Sequence, residues 1–135
     1  MDLEFAFLSD FAEESGGKLH ALGIGIDTIH AAETPTRHPL LTMVAQIRYS
    51  VAEAGTHRLE VGGYDADGRE IIDRIEGEMR LPPVSGTSGT ARVLVNLVGV
   101  NFPAYGDYSF HVVLNGVEVS RAAVRVAPPP GAEGG

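Results

Sequence analysis

Apolar residues along this chain return every second position, and that period most constrains the fold. Leu41, Met43, Ala45, Ile47, Tyr49 and Val51 share one phase, with more polar residues between several of them. A period of two places one set of side chains on one face of an extended strand, whereas a helix would need a period near 3.6. The same alternation appears at Leu3, Phe5 and Phe7, at Leu22, Ile24 and Ile26, and at Leu59 and Val61. It recurs at Ile71, Ile75, Met79 and Leu81, where Arg74, Glu76, Glu78 and Arg80 take the opposite face. The run from Val93 to Val100 is apolar on both faces, which marks a central strand. Tyr108, Phe110, Val112 and Leu114 follow, and then Val117 to Val126.

Turn residues separate these runs, at Glu14 to Gly17, Thr34 to Pro39, Glu53 to Gly55, Pro82 to Gly89, Tyr105 to Asp107 and Asn115-Gly116. The 17 glycines and 8 prolines supply the punctuation of a turn-rich chain. About eight short strands with half-polar faces predict an all-β fold, a two-sheet antiparallel β-sandwich, with a closed β-barrel as the alternative. Residues 1–127 are expected to form one sandwich domain, and the Pro/Gly-rich segment 128–135 a flexible tail.

Two hairpins allow a register to be predicted. Asn115-Gly116 between Leu114 and Val117 reads as a two-residue type I′ turn pairing Val112 with Val119, with a bulge near Ser120 to Ala122 to restore the phase of Val124 and Val126. Asp65-Ala66-Asp67-Gly68 is better read as a three-residue loop with Gly68 in the left-handed region. Asp65 then pairs with Arg69, Gly63 with Ile71 and Leu59 with Ile75, leaving Val61 awkwardly opposite Asp73. In that reading the Asp65 carboxylate accepts a backbone N–H two residues on, as turn-opening aspartates do.

The formal net charge is −8, which repels nucleic-acid phosphates and anionic membranes, and no basic run offsets it. No apolar run reaches the roughly 20 residues that a spanning helix needs. Asp2 and Glu4 stand where a signal peptide would carry basic residues. Cysteine is absent, so thiolate metal sites and disulfides play no part. The expectation is a cytoplasmic protein.

Candidate chemistry is sparse. Asp65 and Asp67, joined by Asp107 from the YGDY turn, could gather around a cation, although the D-x-D-G spacing supplies too few of the acidic positions of a calcium loop. The five histidines lack a ligand spacing such as H-x-H. Ser9, Asp10 and His20 lack a nucleophile elbow. Gly23 and Gly25 in LGIGID suggest a strand with one flat face open to a partner, and Phe102 and Tyr105 in NFPAYGDY suggest either a stacking platform for sugar or a plug closing the end of the sandwich. No catalytic residue and no cofactor is expected. The leading functional expectation is a non-catalytic interaction or assembly module that meets a protein partner, or a second copy, through a sheet edge or flat face. The alternative is a module that binds a cation or carbohydrate with its end loops.

The segments FAFLSDFA with GKLHALG, RHPLLTMVAQIRY, GTHRLEV with DADG, and NLVGVNFPAYGDYSFHVVLNG together resemble a family of short uncharacterised bacterial proteins. The resemblance runs from Phe5 to Val126. It implies a β-sandwich and carries over no catalytic or binding residue.

Overall fold

The computed structural model describes residues 1–131, so residues 132–135 of the expected flexible tail lie outside the described residues. Ten strands follow one another: β1 (Asp2–Ser9), β2 (Phe11–Ser15), β3 (Lys18–Leu22), β4 (Thr28–His30), β5 (Thr36–Ser50), β6 (Gly55–Asp65), β7 (Ile75–Leu81), β8 (Ser88–Phe102), β9 (Gly106–Leu114) and β10 (Val117–Ala127). Among the described residues a single 3-10 turn, Val51–Glu53, joins β5 to β6.

The strands build two packed sheets, ordered β1-β5-β8 and β4-β10-β9-β6-β7, plus a β2-β3 hairpin. The architecture is a sandwich, and neither sheet closes into a barrel. Every pairing is antiparallel except one. β4 lies parallel to β10, with Ile29 beside Val126, and it is reached from the β2-β3 hairpin rather than joined to β10 by a tight turn.

The core is the inward phase of the alternation. Leu8, Leu41, Met43, Ala45, Val93, Leu97, Val100 and Phe102 from the first sheet meet Val61, Phe110, Val112, Val124 and Val126 from the second. A satellite cluster of Ile47, Tyr49, Leu81 and Leu114 closes one end, where the Tyr49 hydroxyl donates to the Pro82 carbonyl at 2.7 Å. β5 is buried on both faces, since Thr42 and Val44 are as inaccessible as Leu41 and Met43. The β2-β3 hairpin explains this by packing over the outer face of β5, with Ala12 buried beneath it and Arg92 of β8 donating to Gly17 of its turn at 3.4 Å. Thr42 satisfies its buried hydroxyl by donating to Asn96 Oδ1 at 3.0 Å.

β8 differs from its sequence reading. Its apolar run on both faces predicts a central strand, yet it lies at the edge of the first sheet. Val93 and Leu97 point into the core, while the alternate position Val98 is 78% exposed. At Gly99, φ is 63°, and beyond it the inward phase passes to Val100 and Phe102. A side chain would be strained in that backbone conformation, so glycine makes the phase change cheap.

The two predicted hairpins are confirmed in kind and adjusted in register. At the DADG loop the N–H of Asp65 donates to the carbonyl of Arg69 at 2.9 Å, Gly68 has φ 82°, and Gly63 meets Ile71 as expected. Farther along, Val61 pairs with Ile75 and Leu59 with Gly77, so the expected Leu59–Ile75 pairing is displaced by two residues. The segment 71–74 leaves the ladder because Ile71 and Ile72 turn inward and pack against the core, with Ile72 over Gly63. Burying two isoleucines outweighs continuing the ladder, and it removes the Val61–Asp73 mismatch. In the other hairpin, Asn115 (φ 49°) and Gly116 (φ 80°) form the primed turn. The register shift falls between Glu118 and Ser120, slightly earlier than expected, so Val112 faces Ser120.

Candidate functional site

The carboxylates offered for a cation are engaged elsewhere. Asp65 Oδ1 accepts the N–H groups of Asp67 and Arg69, each at 2.9 Å, and so holds the loop shut. Asp107 Oδ1 accepts from Arg125 Nε at 2.9 Å. Asp67 projects from the loop tip. Among the described residues no three His, Asp or Glu side chains stand close enough together to hold a metal ion.

The aromatic candidates divide. Phe102 is fully buried, its ring edge-on to Tyr108 at 4.9 Å and to Phe110 at 6.5 Å, so it offers no stacking surface and serves as the plug. Tyr105 is 41% exposed, and its hydroxyl donates to the Ala31 carbonyl at 2.8 Å, fastening the loop before β9 to the segment after β4.

Gly23 and Gly25 do not lie in a strand. They have φ values of 67° and 84° and form a tight turn after β3, with Gly25 and Ile26 donating to the Leu8 carbonyl at 2.9 and 3.1 Å. Positive φ at alternate positions breaks the pleat, so the predicted flat face is replaced by a turn. The turn pushes Leu22 (67% exposed) and Ile24 (62%) outward beside Phe11.

Two features that were not singled out from the sequence stand out in the structure. The first is the free edge of β8. A groove of about 320 Å³ runs beside it, walled by Ile71, Ile72 and Ile75 on one side and residues Asn96 to Asn101 on the other. The groove exists because segment 71–74 leaves the β7 ladder and leans toward β8.

The second lies on the outer face of the five-stranded sheet. Ser109 and His111 are two apart on β9 and therefore share a face. Ser109 Oγ is 2.7 Å from His111 Nε2, and His111 Nδ1 is hydrogen-bonded to Glu118 Oε1 of β10. Arg121 stands directly across from His111 and donates to the same Glu118 oxygen at 3.3 Å. These donors hold the Glu118 carboxyl below its ordinary value, His111 contributing most. Tyr64 of β6 lies opposite Ser109, and its ring leans over Gly62 to meet His111 edge-on at 5.1 Å. Gly62 is required there, because a Cβ would occupy the space of the Tyr64 ring. The S-x-H spacing on a strand was visible in the sequence, but Glu118 joins it only through the hairpin and bulge.

Among the described residues no helix is long and apolar enough to cross a membrane. Fold and surface define a β-sandwich module with one exposed apolar edge and one hydrogen-bonded polar line across a sheet face. The chain belongs to a family of unknown function, DUF6941, whose model matches residues 4–127. No curated protein matches it.

Proposed function

We propose that the protein is an interaction and assembly module, in which β8 of one copy pairs antiparallel with β8 of a second. One observation carries this reading: a strand with the composition of a central strand occupies a sheet edge. Over 15 residues, SGTARVLVNLVGVNF, it contains no carboxylate, no lysine and no proline, the devices by which edges are usually blunted. The other edges of the two packed sheets are protected. β1 carries Asp2 and Glu4, β7 carries Glu76 and Glu78, and β4 has only three residues.

Charge favours a second copy as the occupant. Two chains of net charge −8 repel over most of their surfaces, and β8, with Arg92 as its one charged residue, is a long edge where they can approach without opposed carboxylates. Over residues 88–98, before the phase change at Gly99, a two-fold axis beside Val93 pairs inward residues with inward and outward with outward, so the match there follows from symmetry. The two three-stranded sheets then join into one of six, and Val98 and the isoleucine-walled groove are covered.

Light scattering of the purified chain is expected to give a dimer. Val98→Glu, at a side chain that makes no core contact, should give a folded monomer, whereas Val117→Glu on the distant hairpin should leave the dimer intact. A wild-type monomer at every concentration, or a Val98→Glu dimer, contradicts the proposal. The ligand-binding alternative has weaker support, because Asp65 and Asp107 are engaged and Phe102 is buried. A cytoplasmic location belongs to the same proposal and is tested by cell fractionation.

A further inference from the structure

Independently of the β8 edge, the geometry points to Ser109 as an activated nucleophile toward small, activated esters, with His111 as its base and Glu118 as the residue that positions the imidazole. The nitrogen roles follow from hydrogen-bonding capacity. An ionised carboxylate can only accept, so the proton on His111 is at Nδ1, facing Glu118. In the neutral ring Nε2 is then an acceptor, and the Ser109 hydroxyl at 2.7 Å donates to it. Nucleophile, base and orienting acid are thus in hydrogen-bonded sequence, which is the arrangement that activates a serine on any fold. The line is held from three sides. Tyr64 packs edge-on to the imidazole, Arg121 donates to the Glu118 carboxylate beside His111, and the antiparallel ladder fixes Ser109 and His111 on one face. The His111 side chain is 14% exposed and Ser109 is half-buried beside it, so the base is shielded while the serine keeps partial access to solvent.

The reaction balances with water alone. Ser109 Oγ attacks the ester carbonyl carbon as its proton passes to His111 Nε2. The bond from carbonyl carbon to the leaving oxygen breaks, that oxygen takes the proton from His111, and the acyl group remains on Ser109. Water then gives a proton to His111 and attacks the carbonyl. The Ser109–acyl bond breaks, and the proton returns to Ser109 Oγ. The fold also sets the substrate class. β9 is paired with β10 on one side and β6 on the other, so no adjacent pair of free amides faces a developing oxyanion. Arg121, the nearby cation, stands across from His111 and is engaged with Glu118. Amides, with their poor leaving groups, are therefore excluded, and esters of acidic alcohols or phenols remain.

The test treats the full-length protein with a fluorophosphonate probe, followed by intact mass and peptide mapping, alongside turnover of p-nitrophenyl acetate. A single adduct is expected on Ser109, absent in Ser109→Ala and slowed about 100-fold in His111→Asn, the scale of one general base. Glu118→Gln should slow labelling and change its pH profile, and Glu118→Asp should restore part of the rate. No adduct, an adduct spread over other serines, or an unchanged rate in His111→Asn would overturn the proposal. So would ester turnover that survives Ser109→Ala and vanishes in His111→Asn, because the imidazole itself would then be the nucleophile.

Discussion

Single residues show where the packing is tight and where it is wasteful. Ser120 faces the core opposite Val112, is 3% exposed, and its Oγ has no hydrogen-bond partner. A buried hydroxyl left unpaired costs roughly 1–3 kcal/mol, so Ser120→Ala should raise stability by about 1 kcal/mol in chemical denaturation. Two glycines of the β6-β7 hairpin should respond in opposite ways. A Cβ on Gly63 would come within 2.7 Å of the Phe110 ring, so Gly63→Ala is expected to destabilise by about 1–3 kcal/mol through overpacking. Around Gly77 nothing lies within 4 Å, and Gly77→Ala should be neutral or stabilising by up to about 1 kcal/mol, as lost unfolded-state freedom predicts. The residue scale is also where sequence reading was most limited. Gly68 and Asp65 could be assigned to a turn because Asp-Gly chemistry is local. Gly63 owes its role to Phe110, far along the chain, which no short window contains.

At the scale of elements, alternation made the strands legible, and turn chemistry fixed the near end of each hairpin. What failed was propagation. The Leu59–Ile75 register was displaced because Ile71 and Ile72 found a better place in the core, a long-range gain that competes with the ladder. LGIG was misread because alternating isoleucines and glycines look identical in a flat strand and in a turn built from two positive-φ glycines. The parallel β4-β10 pairing had no local signal. Elements are also tied by ion pairs that respond to acid. Arg48, and then Gln46, hold the Glu4 carboxyl below its ordinary value of 4.5, joining β1 to β5, as His111 and Arg121 do for Glu118 between β9 and β10. A carboxylate lowered in the folded state contributes stability that is complete above its unfolded value and is lost as pH falls through the folded one. Thermal midpoints should therefore drop on acidification from about pH 5 to about pH 3, and the double variant Glu4→Gln, Glu118→Gln should show a shallower drop. An equal drop in both proteins would assign the acid response to other groups.

For the whole molecule, the sandwich was legible because period-two patterning without cysteine or helix signals leaves few other solutions. The sites were less so. The Ser109–His111–Glu118 line needs a hairpin and a bulge to assemble, and the position of β8 at an edge depends on the order of strands in the sheet. That same misreading carries the functional argument, since β8 has a central strand's residues and gains a central strand's surroundings only when a second chain is added. Amide hydrogen exchange across a dilution series tests this most directly. The account predicts that the alternate β8 amides facing away from β5 are protected at high protein concentration and lose that protection on dilution or in Val98→Glu, while the edges of β1 and β7 do not change. β8 exchange that is independent of concentration, and equal in the wild type and Val98→Glu, would contradict it.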